Sequence, residues 1–381
     1  MNRLLLVILL FAGSIHLSAQ EKRFDFSFDG QAIAWTNMNF SDPFQTQFGL
    51  RYIPGFSPAY KLNEKWKLDA EIAANSYAST LLRQGEFEST SRLKPYRLWL
   101  RLSSDRLELR AGLQKINFGP ARMIRPLMWF DKIDPRDPLQ LTDGVYGLLA
   151  RYYFLNNTNI WLWALYGNDD LKGWESVPTK KKTPEFGGRA QFPLLNGESG
   201  VSFNYRTAGP AVIEYSPLTL SIDEFPEYKV GLDGRWDPFI GLWYEAVIKN
   251  RNNATLIPDY ETYLNLGMDY TFGIGNGLGV TLEHFFMEYS EKLLKNGTKL
   301  NFTASNVSYP LGLRDQVSAI FYYDWSNNEL YSFMNLERQY EKISLYLMAY
   351  WNPESFNLYR NVGEQSLFTG KGFQFMIVYN H

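Results

Sequence analysis

The chain has 381 residues, a formal net charge of -2 and no cysteine. That charge balance argues against a nucleic-acid partner, and the lack of cysteine excludes disulfide stapling. Aromatic residues reach 17%, yet mean hydropathy is only -0.30, so the apolar residues are scattered rather than gathered into long runs.

At the start, Asn2 and Arg3 precede an apolar run over 4–11 and a small-residue site at Ser18-Ala19-Gln20. This is the pattern of a cleaved export signal over 1–20, and the run is shorter than the roughly 20 residues a spanning helix needs. With no cysteine beside the site, a lipoprotein anchor is excluded. The remainder, 21–381, reads as a single domain.

Strand-like segments then recur to the end of the chain: 24–36, 46–61, 65–78, 92–103, 106–118, 145–155, 158–168, 185–193, 199–207, 227–236, 239–250, 259–272, 277–290, 299–309, 313–324, 329–337, 341–352 and 371–380. The alternation is plain in 259–272, where Leu264, Leu266, Met268 and Tyr270 lie opposite Glu261, Tyr263, Asn265 and Asp269. Each apolar face runs for about ten residues, the length of a tilted strand crossing a bilayer. Aromatics near segment ends, among them Trp35, Trp66, Trp236 and Trp351, fit interfacial girdles. Short links such as Ser103-Ser104-Asp105 and Asp237-Pro238 alternate with longer ones at 37–45, 79–91, 119–144, 169–184, 208–226, 291–298 and 353–370. Short turns at one end and long loops at the other are the asymmetry of an outer-membrane barrel. The expected fold is an all-β, antiparallel transmembrane barrel of about 18 strands, or 16, with its third outer loop folded inward.

If the apolar positions face lipid, Arg97, Arg101, Arg110, Arg151, Arg189, Arg206 and Arg235 point into the lumen. Inward acids gather elsewhere (Asp69, Glu71, Glu245, Glu261, Asp269), which predicts a transverse field across a pore. The third loop holds Arg122, Arg125, Asp131, Asp134, Arg136 and Asp137, with its path fixed by Pro120, Pro126, Pro135 and Pro138. These 13 residues are the expected pore lining and constriction. Catalytic signatures are missing: the mature chain would keep only His284 and His381, no Gly-x-Ser-x-Gly elbow occurs, and no pattern calls for a metal or cofactor.

The run Arg110-Ala111-Gly112-Leu113-Gln114, then Phe118-Gly119, then Asp134-Pro135-Arg136-Asp137-Pro138, resembles the strand-and-loop signature of alginate-export-like and related porins. The segment 118–122 also resembles the Gly-Pro segment of capsule-assembly surface barrels, which are lectins rather than pores. The Ala19-Gln20 site and the aromatic content are similar to those of Bacteroidetes envelope proteins. The first resemblance implies a non-enzymatic outer-membrane channel passing small hydrophilic solutes, anionic or zwitterionic ones among them, in contact with outer-membrane lipid and lipopolysaccharide and assembled as a homotrimer or with an envelope partner. The second implies a plugged barrel that binds polysaccharide, with aromatics such as Trp174 stacked on sugar rings.

Overall fold

In a computed structural model, 18 antiparallel strands close into one barrel. The structure describes residues 23–215, 218–251, 257–293, 295–353 and 368–381. The export signal lies outside the described residues, as does most of the expected link 353–370. The wall strands are β1 (Phe24–Asn39), β2 (Gln45–Lys61), β3 (Lys67–Arg83), β4 (Glu86–Ser103), β5 (Leu107–Gln114), β6 (Val145–Tyr153), β7 (Asn159–Leu165), β8 (Glu185–Leu194) and β9 (Gly197–Ala208). A small hairpin of β10 (Ala211–Tyr215) and β11 (Leu218–Ile222) stands apart from the wall. The wall resumes with β12 (Phe225–Trp236), β13 (Gly241–Arg251), β14 (Tyr260–Phe272), β15 (Leu278–Ser290), β16 (Thr298–Pro310), β17 (Asp315–Asp324), β18 (Glu329–Gln339), β19 (Ile343–Trp351) and β20 (Lys371–Asn380).

Every wall strand pairs with its sequence neighbours, and β1 pairs with β20 from Gln31↔Asn380 to Asn39↔Gly372. His381 extends the seam, exchanging backbone hydrogen bonds with Gly30 at 3.0 and 3.1 Å. Closure gives each wall strand a neighbour on both sides, as a bilayer core requires, while long tips such as 86–97 of β4 run on past β5.

Alternation by itself leaves open which face is buried, and closure decides it. Leu264, Leu266, Met268 and Tyr270 project outward and are exposed, whereas Glu261, Tyr263 and Asn265 are buried inside. On the terminal strand, Phe373, Phe375, Ile377 and Tyr379 face out. An apolar exterior on a closed sheet places the protein in the bacterial outer membrane. Leu266→Arg, on this belt, is expected to cost about 2–4 kcal/mol. Urea titration in lipid vesicles measures it, and an unchanged midpoint would place that face elsewhere than in lipid.

Two expected links differ from the structure. The stretch 79–91 is no loop: β3 and β4 stay paired out to Arg83↔Glu86, around a turn at Gln84 (φ 51) and Gly85 (φ 85). These two strands have 17 and 18 residues, well beyond the length a bilayer needs. Their tips stand clear of the lipid, where no apolar face is required and the alternation fades. The link 208–226 likewise carries β10 and β11.

Candidate constriction

The third outer loop, 115–144, leaves the wall where β5 ends. Gly112 has φ +118, and a Cβ there would lie 2.1 Å from the Leu98 carbonyl oxygen, so only glycine fits. The loop then turns inward. Its Ile116, Phe118, Ile124, Leu127, Trp129 and Phe130 pack with Trp163, Phe285, Phe302 and Tyr322 of the wall in one buried cluster. Phe118 stacks on Trp163 at 5.7 Å and meets Trp129 edge-on at 5.4 Å.

Two wall carboxylates grip the loop by its backbone. Glu283 on β15 accepts from the amides of Arg122 (2.7 Å), Met123 (3.2 Å) and Ile124 (2.7 Å). It also accepts from Asn265 Nδ2 at 3.0 Å and Trp243 Nε1 at 3.2 Å. Glu245 on β13 accepts from the amides of Ala121 (2.9 Å) and Leu127 (2.8 Å). Both carboxylates are fully buried. Five loop amides are thus bound by buried wall carboxyls at roughly 1–3 kcal/mol each, so loop 3 is fixed across the lumen at mid-wall. Trp243 reaches Glu283 because its strand partner is Gly267, where a Cβ would lie 2.1 Å from Trp243 Nε1.

Loop 4, 166–184, also folds inward. Its contacts lie one level further out: the ladder places Lys249↔Glu261 outside Glu245↔Asn265. Glu175 Oε1 lies 3.3 Å from both Arg206 Nη1 and Lys229 Nζ. Lys172 Nζ lies 3.3 Å from Glu175 and from Glu185 and donates to Thr179 Oγ1 at 2.8 Å. Arg206 pairs with Glu227 at 2.7 Å, Arg251 bridges Glu227 and Glu261, and Lys249 joins Glu261 at 2.9 Å and the Trp174 carbonyl at 2.7 Å. Trp174 is no exposed sugar platform. Its ring stacks on Phe285 at 5.6 Å, and its Nε1 donates to the Arg125 carbonyl on loop 3 at 2.7 Å.

The 13 expected pore-lining residues divide into two groups. Arg101, Arg110, Arg151, Arg122 and Arg235 lie at or below loop 3 with side chains 13–51% exposed. Arg101 holds Asp69 with a fork at 2.6–3.1 Å. Glu108 lies 2.9 Å from Arg110 and 3.6 Å from both Arg101 and Arg151. Arg110 covers Trp99 at 4.7 Å, and Arg151 covers Trp161 at 3.8 Å. Arg122 reaches from loop 3 to Asp269 at 2.7 Å, and Asp269 also lies 3.4 Å from Arg235. Together these groups form a charged vestibule at the inner end.

Of the others, Arg97, Arg125, Arg136, Arg189, Arg206 and Asp131 are buried, while Asp134 and Asp137 are half-buried. Arg206 has no exposed surface and Arg189, paired with Asp233 at 2.5 Å, only 4%. Arg97 donates to the Thr142 and Asp143 carbonyls at 3.0 and 3.1 Å, tying down the end of loop 3. Arg125 is buried against Asn117 and Phe118. Arg136 forks onto Asp134 at 2.6–3.1 Å and lies over Phe368. Asp137 accepts from the Leu139 amide at 3.0 Å, and Asp131 from Thr142 Oγ1 at 3.2 Å. A buried charge must be paired where it sits, so Arg189 and Arg206 each meet an acid, Arg97 and Arg125 are held by carbonyl and amide oxygens, and no wholly basic arc survives.

Burial pushes the Asp131 carboxyl up to about 6, against the pull of Lys115 and Arg125. Burial also raises Glu175, but the Arg206, Lys172 and Lys229 charges outweigh it and hold the carboxyl at about 2. Sequence reading counts Glu245 among the inward acids but gives it no partner, and it passes over Glu283, Lys172 and Glu175. Among the described residues no acid, histidine and cysteine cluster suits a metal.

The fold is shared with solved outer-membrane structures. The chain is similar to OccAB1 of Acinetobacter baumannii, with a TM-score of 0.55, 8% identity, and 94% of this chain and 96% of that one covered. OccK7 (OpdD) of Pseudomonas aeruginosa gives 0.54, 10% identity, and 95% and 99% coverage. Outer-membrane expressed OmpT of Vibrio cholerae gives 0.50, 12% identity, and 95% and 99% coverage. No protein-family model and no curated protein sequence matches the chain. What is shared at such identities is the architecture.

Proposed function

We propose that the chain is a porin-like channel of the outer membrane, passing small hydrophilic solutes by diffusion and performing no covalent chemistry. The observation that carries this reading is loop 3, which leaves the wall between β5 and β6 and is clasped across the lumen at Glu245 and Glu283. A loop held at mid-wall sets pore width, and the vestibule charges below it set preference. Arg101, Arg110 and Arg151 face Asp69, Glu71 and Glu108 there, a balance of opposed charges that favours zwitterionic solutes. The signature over 110–138 supports a relation to alginate-export-like porins, the Ala19-Gln20 site and aromatic content support a Bacteroidetes source, and a homotrimer is the assembly we expect.

A plugged surface barrel is the second reading. The observation favouring it is that loops 3 and 4 both pack into the lumen with buried side chains. The test is conductance. Folded protein in planar bilayers is expected to give discrete current steps in KCl. Folded barrels that insert and stay silent, yet are retained on immobilised polysaccharide, would replace the channel with the plugged barrel.

A further inference from the structure

The wall is uneven at its outer end. β5 meets β4 only over 98–103 and then leaves to form loop 3. β4 stands on beyond it, over 86–97, paired with β3 on one side. Among the described residues no strand pairs with its other side. Residues 86–93 are all exposed, and at 3.4 Å per residue they present about 27 Å of strand edge. This edge is backed and stiff. β2 supports β3 out to Gln45↔Arg83, β1 supports β2 out to Asn39↔Gln45, and the Thr80 and Ser89 hydroxyls bond across the hairpin at 3.0 Å. Its root is closed, because Lys94 meets Asp143 at 2.6 Å and Arg97 donates to the Thr142 and Asp143 carbonyls. Sheets guard a free edge by shortening it, bulging it, placing proline on it or charging it. Here the register shift at Ala73/Ala74 and Pro95 both lie at the root, so the ladder runs unbroken from Asn75↔Lys94 to Arg83↔Glu86. Charge is the guard that remains. Glu86 and Glu88 share one face of the tip, and Phe87 and Leu93, 73% and 76% exposed, share the other.

We infer that the outer edge of β4 over 86–93 is a docking site that takes up an extended segment of a second surface protein as an added antiparallel strand. The backbone N–H and C=O groups of the edge bind the segment, and the side chains of the two faces select it. β4 descends toward the membrane, so an antiparallel segment rises away from it. Cross-strand pairing calls for basic residues at the alternate positions opposite Glu86 and Glu88, and apolar ones opposite Phe87 and Leu93. A second copy of this chain does not fit. In the same membrane its β4 descends in the same sense, and its Glu86 and Glu88 would face like charges. The edge is already ordered by β1, β2 and β3, so the barrel loses little freedom on binding. Docking on the outside of the wall is independent of whether the lumen conducts.

The probe is a short fluorescent peptide of alternating lysine and valine, blocked at both ends, titrated against folded barrels in neutral detergent. Saturable binding is expected, with the glutamate-for-lysine peptide about tenfold weaker. Two further peptides carry N-methyl groups on alternate amides, one on the lysines and one on the valines. An added strand turns only one of these sets toward β4, so one should bind like the parent and the other about tenfold or more weakly. Glu86→Lys with Glu88→Lys changes two exposed side chains. It should weaken the lysine peptide, strengthen the glutamate one and leave the heat resistance of the barrel unchanged. Equal binding of the two methylated peptides would mean attraction by charge alone and overturn strand addition. A lysine peptide that does not bind saturably, or that binds the charge-reversed barrel as well as the native one, would overturn this edge as the site.

Discussion

Glu283→Ala is expected to lower stability by about 3–5 kcal/mol, the cost of removing one partner from a buried, fully bonded charge site. The loss is large because it strands five donors at once: three consecutive loop amides, the Asn265 side chain and the Trp243 indole. Four of the five are sealed from water, because Met123, Ile124, Asn265 and Trp243 are buried; only the Arg122 amide belongs to an exposed residue. Glu283→Gln should lie between wild type and alanine, since its amide nitrogen turns a donor toward donors. Glu245→Ala removes acceptors from Ala121 and Leu127 on the same loop segment. The two alanines together should therefore cost less than their sum, because either one frees the loop. Urea midpoints measure the stability, and limited proteolysis within 115–144 reports the released loop. In bilayers the released loop should give larger and noisier current steps. An unchanged midpoint with loop 3 still protected would mean that the aromatic cluster alone holds the loop and the clasp is incidental.

The wall was readable from sequence for a physical reason. Lipid imposes one apolar face on every strand, so the period of two survives in β14 or β20 whatever those strands surround. The rhythm of turns and loops then supplied the strand count. The reading failed where lipid stops. Beyond the bilayer the outer halves of β3 and β4 need no apolar face, so Ser79 to Ser91 resembled a loop. One local cue was present, Gln84-Gly85, a pair suited to a tight hairpin. The site was legible only in part. Parity turned Arg101, Arg110 and Arg206 toward the lumen side. It did not reveal that Arg206 would be sealed beneath loop 4 while Arg101 stays in contact with water. That difference depends on contacts such as Ile124 with Glu283, 159 residues apart, and no local period encodes them. Mid-strand acids opposite a long loop are the signal worth weighing: Glu245 and Glu283 look like lumen charges but serve as acceptors for loop amides.

Replacing Arg101, Arg110 and Arg151 together by alanine is expected to turn the channel toward cations. These guanidiniums share Asp69 and Glu108, with Glu71 beside them on Trp99, so the local sum moves from neutral to three negative. A change of about one kT in potential at a narrow passage is about threefold in the permeability ratio, and reversal potentials in a KCl gradient read it directly. Arg122→Ala should shift the ratio in the same direction by less, because it leaves Asp269 still facing Arg235 at 3.4 Å. Arg125→Ala and Arg136→Ala provide the contrast. Both side chains are spent on loop 3 itself, one on Asn117 and the Phe118 carbonyl, the other on Asp134 and the Phe368 ring. Their loss should lower the urea midpoint and leave the ion ratio of surviving channels near wild type. If Arg136→Ala shifted selectivity as much as the vestibule triple, the passage would run through the loop rather than below it, and the vestibule would not be the filter.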